Sequence, residues 1–331
     1  LPNSRFLHRY AWSTVAVATV TLVAGALTTS KNAGMAFRDW PNSDGQFMLT
    51  YPWFADFAKD WDKFLEHGHR LAGILIGIWA IGLVVLTALS RSRPSVLWLA
   101  RAVLAGVILQ GLLGGFRVQL DERGLALIHG AFAAVVLSLM GGVATLLSPK
   151  WADAGGELPG AFDREARNDR LSLARIAALL LPLLLMTQFL LGGMVRHHGR
   201  NLHEHLGLGI LAAFAIIANA VIAGRTGERW MRSSARAVLA LGLLQVSLGI
   251  GAWVTKFGFA AAGYVAVADS IVQVASRSAH TVIGILLVMT AVVHAFRVCH
   301  TCVLREVSGA STQQTMKATP LAALSTGSAT R

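Results

Sequence analysis

The chain has 331 residues, 54% of them hydrophobic and 14% charged, with a formal net charge of +12. A soluble fold of this length has too little interior for so much apolar surface, so the composition excludes an ordinary water-soluble enzyme and points to an integral membrane protein. The positive charge sorts by loop instead of forming one patch, which argues against a nucleic-acid binder.

Eight apolar segments are long enough, at about 1.5 Å per residue, to cross a hydrocarbon layer of roughly 30 Å. They lie at about 11–29, 69–90, 95–116, 125–147, 172–193, 204–223, 234–254 and 279–298. Backbone polar groups must be satisfied within the bilayer, so each segment is predicted to be a helix and the fold class is all-α, polytopic. The first segment follows Arg5 and Arg9 but exceeds a signal-peptide core and has no A-x-A site after it, so it reads as a retained helix. Because the chain begins with Leu1, a few residues are expected to be missing or cleaved ahead of it. With both termini on one side, 18 of the 29 Lys and Arg and 7 of the 17 acids fall on that side. The positive-inside bias then predicts both termini in the cytoplasm.

Between the first two segments, Phe54, Phe57, Trp61 and Leu65 fall on one helical face. That spacing predicts an amphipathic helix lying on the membrane and roofing the N-terminal half. The next stretch, "KFLEHGHRLAGILIG", places Glu66, His67, His69 and Arg70 at the doorway of the second segment. Ionisable groups so near a membrane interior are costly and usually functional.

Two patterns then repeat. Gln-x-x-Leu-Gly occurs at Gln110–Gly114, Gln188–Gly192 and Gln245–Gly249, with a degraded version, "TLVAG", ending at Gly25. Small residues at a fixed depth let helix backbones approach. A histidine opens each even-numbered segment: His69, His129, His205 and His280. A glycine follows four residues after His69, His205 and His280. The chain therefore reads as two pseudo-repeated four-helix bundles, 9–147 and 172–298, joined by a polar linker at 148–171 and followed by a tail at 299–331 expected to be flexible.

Four histidines at matched depth on alternate segments suit iron in a porphyrin, with one imidazole on each axial side. Pairing within halves gives His69 with His129 and His205 with His280. Zinc would call for three or four ligands in one cluster. A second haem layer would need histidines about fourteen residues further on. His294 has that spacing from His280, but positions 83, 143 and 219 are Leu, Val and Asn, so His294 reads as a packed or hydrogen-bonded residue. His203 remains an alternative to His205, with His205 favoured by alignment with His69. His197 and His198 read as solvated or lid residues. Cys299 and Cys302, in "VCHTCV", lack the histidine of a haem-attachment motif and read as incidental thiols.

These residues resemble the haem A synthase family, membrane enzymes that make haem A for cytochrome oxidases. The resemblance covers nearly the whole chain and is sharpest at Glu66-x-x-His69-Arg70 and in "GMAFRDWPNSDG", where Gly34, Asp39, Trp40, Pro41 and Gly45 are similar to the family's outer-loop phrase. It implies oxidation of the C8 methyl of the substrate haem O to a formyl group by successive hydroxylations. His69 and His129 would ligate the substrate haem and His205 and His280 the iron of a resident haem b. The sites would lie near the outer face of a bacterial cytoplasmic or mitochondrial inner membrane. Glu66 would be catalytic, stabilising positive charge at the methyl or taking a proton, with a surface ion pair to Arg70 or Lys63 as its plain alternative. Arg70 would pair with a haem propionate or snorkel to headgroups. Implied partners are haem O synthase and a membrane or soluble electron-transfer protein. Many family members carry two cysteines flanking Asp-Trp-Pro; Phe37 and Ser43 stand there in this chain. The rival reading is a non-enzymatic diheme b-type cytochrome, or a haem carrier or sensor.

Overall fold

A computed structural model describes residues 4–153 and 164–318; the remainder of the predicted linker and tail lies outside the described residues. Among the described residues nine α-helices follow one another: α1 (Ser4–Ser30), α2 (Trp61–Leu89), α3 (Pro94–Leu120), α4 (Arg123–Leu146), α5 (Pro149–Asp153), α6 (Arg164–His198), α7 (Leu202–Arg225), α8 (Arg229–Phe257) and α9 (Ile271–Ala318). All but the short α5 are long and apolar enough to span a membrane, and no strand occurs among the described residues. The protein is an all-α integral membrane protein.

Helix ends follow local chemistry. Asp60 caps α2 by accepting from the Lys63 amide at 3.1 Å, and Glu122 caps α4 through the Gly124 amide at 3.0 Å. Pro94 opens α3, where a missing N–H costs nothing. Within the spans, hydroxyls turn back on their own helices, as Thr87 does to the Leu83 carbonyl. A membrane helix can thus carry Ser and Thr without leaving a donor unmet.

The predicted amphipathic helix over residues 54–65 does not form as one piece. Trp53–Phe57 is a single 3-10 turn, the chain then bends, and α2 starts afresh at Trp61. The Asp60 cap explains the break. The aromatic residues still cluster: Trp53 stacks on Phe64 at 4.9 Å between centroids and covers Gly68.

The two halves share one core. α4 packs against α9, and an added Cβ at Gly141 would come within 3.0 Å of Met289 and Val293 side-chain atoms, so glycine is what permits the approach. Large apolar side chains such as Ile78, Ile108, Leu183, Phe214 and Ile250 point outward, as lipid-facing positions should. The four repeated histidines all lie in the opening turns of α2, α4, α7 and α9, which places them at one end of the bundle.

Candidate functional site

The repeated glycines are shelves for imidazoles. A Cβ built at Gly25 would lie 2.7 Å from His69 Cε1; at Gly114, 3.1 Å from His129; at Gly192, 2.9 Å from His205; at Gly249, 3.0 Å from His280. Each ring therefore rests on the bare backbone of the helix preceding its own. Four residues before three of the four shelves lies the residue whose carbonyl orients the ring. Nδ1 of His69 donates to Thr21 O at 3.1 Å, His205 to Gln188 O at 3.2 Å and His280 to Gln245 O at 3.2 Å. His129 Nδ1 has no such bond. A carbonyl can only accept, so these bonds place the proton on Nδ1 and leave Nε2 with its lone pair, the usual arrangement behind a metal-binding histidine.

The glutamines lock the same contact from the other direction. Gln110 Nε2 donates to His129 O at 2.9 Å and Gln188 Nε2 to His205 O at 2.8 Å. The glycine four residues after His205 and His280 makes room for them: a Cβ at Gly209 would sit 2.9 Å from Gln188 Nε2, and one at Gly284 3.0 Å from Gln245 Nε2. Helix α1 carries Thr21 where the others carry glutamine; its hydroxyl bonds Ala72 O at 3.0 Å, and Gly73 faces open space.

The structure brings His69 to His129 and His205 to His280. In both pairs the ring centroids are 6.3 Å apart, with planes at 85° and 87°. Two imidazole nitrogens, each about 2 Å from one shared iron, would set their centroids about 6 Å apart. The residues present fit a bis-imidazole haem site in each half. Among the described residues no three His, Cys, Asp or Glu side chains converge as a metal cluster, so the protein offers each site two axial nitrogens. One competing contact occurs: the Gln245 amide approaches His280 Nε2 at 3.5 Å.

The remaining histidines lie elsewhere. His203 is exposed. His294 is fully buried at the opposite end and bonds Ser234 Oγ at 2.8 Å. His67, two residues from His69, turns away from the pair and bonds Ser43 Oγ at 3.1 Å.

Over the N-terminal pair lies the loop of residues 31–60, and Glu66 and Arg70 hold it. Glu66 is buried; its Oε2 accepts from the amides of Ala36 at 2.8 Å and Phe37 at 3.2 Å, and its Oε1 from Arg70 at 2.7 Å. Arg70 also donates to Asp39 O, Asn42 O and Ser43 Oγ. Asp39 closes the tip of the loop through the amides of Asp44 and Gly45, whose φ values of 50° and 75° give a left-handed turn. Burial alone would push the Asp39 carboxyl up, but those amides and the Arg70 charge hold it below the usual carboxylate range. The Trp40 ring lies on Gly115, and Gln119 bonds Trp40 O at 3.2 Å, which seats the loop on the end of α3. Phe37 and Ser43 both touch His67, Phe37 at 5.9 Å between centroids.

Two arginines at this end escape a sequence reading. Arg117, one turn beyond the Gly114 shelf, donates to Gly34 O at 3.1 Å. Arg196, one turn beyond Gly192, bonds Thr281 Oγ1 on α9, and Ser30 Oγ and Ala26 O on α1. Thr281 adjoins His280 and Ala26 adjoins the Gly25 shelf, so Arg196 spans the space between the two pairs. The recoverable signal is the repeated offset: a cation three or four residues after the shelf glycine in each half.

Residues 1–141 match COX15-CtaA, a family of cytochrome oxidase assembly proteins. The matched segment is less than half of the chain, at its N-terminal end. A relative from Bradyrhizobium sp. (strain BTAi1), called Heme A synthase, is 28% identical over 155 residues, which are 44% of this chain and 42% of that protein. The match thus spans less than half the relative's length. The matched segment includes the loop, Glu66, Arg70 and the His69–His129 pair.

Proposed function

We propose that the protein is a haem A synthase, a membrane oxidoreductase converting the C8 methyl of haem O to a formyl group by successive hydroxylations. One asymmetry carries this reading. Two imidazole pairs match in separation and angle, yet only the N-terminal pair has a buried carboxylate three residues away on a ligand-bearing helix. Residues three apart share a helix face. The C-terminal pair reaches the same geometry without such a group, so the carboxylate, which also fastens the loop, is not needed to hold two imidazoles.

His69 and His129 hold the substrate haem O, and His205 and His280 hold haem b. When bound, haem b supplies one-electron chemistry. The carbonyls of Thr21, Gln188 and Gln245 keep the proton of their partner histidine on Nδ1, so each Nε2 is ready to ligate. Glu66, held from three directions, keeps a fixed carboxylate at the rim of the substrate site. Such a charge needs no reorganisation as positive charge grows at the methyl carbon, and the same oxygen can accept the departing proton. The loop of residues 31–60 shields that site from water. Arg70 is engaged by four oxygens of Glu66 and the loop, so Arg117, with one carbonyl partner, is the better-placed cation for a propionate. The cation-rich end faces the cytoplasm and the histidine end faces outward. An electron-transfer protein and an enzyme supplying haem O are the required partners.

The test is haem extraction and mass measurement on the purified protein supplied in aqueous buffer with haem O, an electron-transfer partner and dioxygen as the oxidant. Wild type yields the formyl product, whereas Glu66→Ala retains haem b and loses product by about a hundred-fold or more. Undiminished conversion in Glu66→Ala would remove the basis for the assignment. A preparation that binds haem in both halves and never oxidises haem O would favour the diheme carrier.

A further inference from the structure

The end of the bundle opposite the histidine pairs holds a cavity of about 210 Å³ between the two halves. Its lining includes His8 and Trp12 of α1, Lys150 of α5, Trp230 and Ser233 of α8, and Arg297 of α9. Among the described residues no Asp or Glu lines it. Arg297 is weakly held: Nη1 reaches Ser233 Oγ at 3.4 Å, the guanidinium lies 5.2 Å from the Trp230 centroid, and Nε is buried with no hydrogen-bond partner. Ser233 gives its own proton to Trp230 O, so it offers only an acceptor to the cavity. His8 donates from Nδ1 to Ala144 O at 3.0 Å, leaving Nε2 free.

A half-buried guanidinium with an orphaned N–H and a neighbouring ammonium, but no carboxylate among the described lining residues, is an unfavourable arrangement unless an anion completes it. The position says which anion. The cavity lies where α1 and α8 begin and α4 ends, the depth of lipid headgroups, and Trp12 and Trp230 are the ring type that lies at that boundary. Basic pockets between spanning helices on the cation-rich side hold anionic headgroups. We propose that this cavity binds the phosphate of an anionic phospholipid, which bridges α1 and α5 to α8 and α9. The proposal is independent of the haem chemistry.

The test uses the full chain in nanodiscs of equal phosphatidylglycerol and phosphatidylcholine, released into native mass spectrometry. Wild type is expected to retain phosphatidylglycerol in preference to phosphatidylcholine. Lys150→Gln and Arg297→Gln should each cut that preference about five-fold, and Lys256→Gln, at the other end, should leave it intact. Lys150 is exposed, so its replacement keeps the test valid even where Arg297→Gln impairs folding. Equal retention of the two lipids by wild type would overturn the proposal. So would a preference unchanged in Lys150→Gln, or displacement of the lipid by millimolar inorganic phosphate, which would assign the cavity to a free anion.

Discussion

The two halves build the same cage and cover it differently. In each, an imidazole lies on a glycine shelf and faces a second imidazole at 6.3 Å. Over His69 and His129 the chain spends residues 31–60 on a loop tied down by Glu66, Arg70 and Arg117. The corresponding connection in the C-terminal half, residues 258–270, is shorter and is closed by one bridge between Phe259 and Tyr264. The spans thus set how two imidazoles face each other, whereas the loops at that end differ in what they bring beside each pair. On the proposed function, this difference is what would leave one site to electron transfer and turn the other to chemistry.

The largest expected effects come from removing a ligand. His129→Ala and His280→Ala should each abolish haem in one half and spare the other, read as loss of one of two haem components in the absorption spectrum; loss of both from either change would break the independence of the halves. Next come the shelves. Gly25→Ala and Gly192→Ala force a methyl to within 3.0 Å of an imidazole carbon, so each should cost about 1–3 kcal/mol of packing and visibly weaken haem retention in its own half. Gly73→Ala, which meets open space, should be silent, and equal damage from Gly73→Ala would refute the shelf argument. Glu66→Gln should loosen the loop, seen as faster proteolysis within residues 31–60, with the C-terminal pair unaffected. The smallest effect belongs to Asp39. Its carboxyl is held below the usual range, so its contribution is present above the unfolded value of 3.8 and is lost as pH falls through the folded one. Protease sensitivity of the loop should therefore rise only below about pH 4 in wild type, and Asp39→Asn should show part of that sensitivity already at neutral pH.

The pairs could be read from the chain because four histidines recur on alternate segments at one depth, a pattern that chance does not supply. The Gln-x-x-Leu-Gly phrase was equally visible, but its meaning was not: which helix supplies the ring that rests on Gly192 is a fact about packing between segments, and periodicity within one segment does not contain it. Arg117 and Arg196 are not legible in the sequence, because a single cation near a helix end looks like an ordinary headgroup anchor. The aromatic stretch at residues 54–65 misled through its spacing alone. Asp60, a good N-cap ahead of Trp61, was the residue that marked the break.

The way Phe37 and Ser43 meet His67 has a practical consequence. Both cysteines of the chain, Cys299 and Cys302, lie on α9 near the opposite end, so no thiol participates in fastening the cover over the N-terminal cage. Its closure rests on packing, an ion pair and hydrogen bonds, and thiol reductants in the surrounding compartment have no disulfide there to act on.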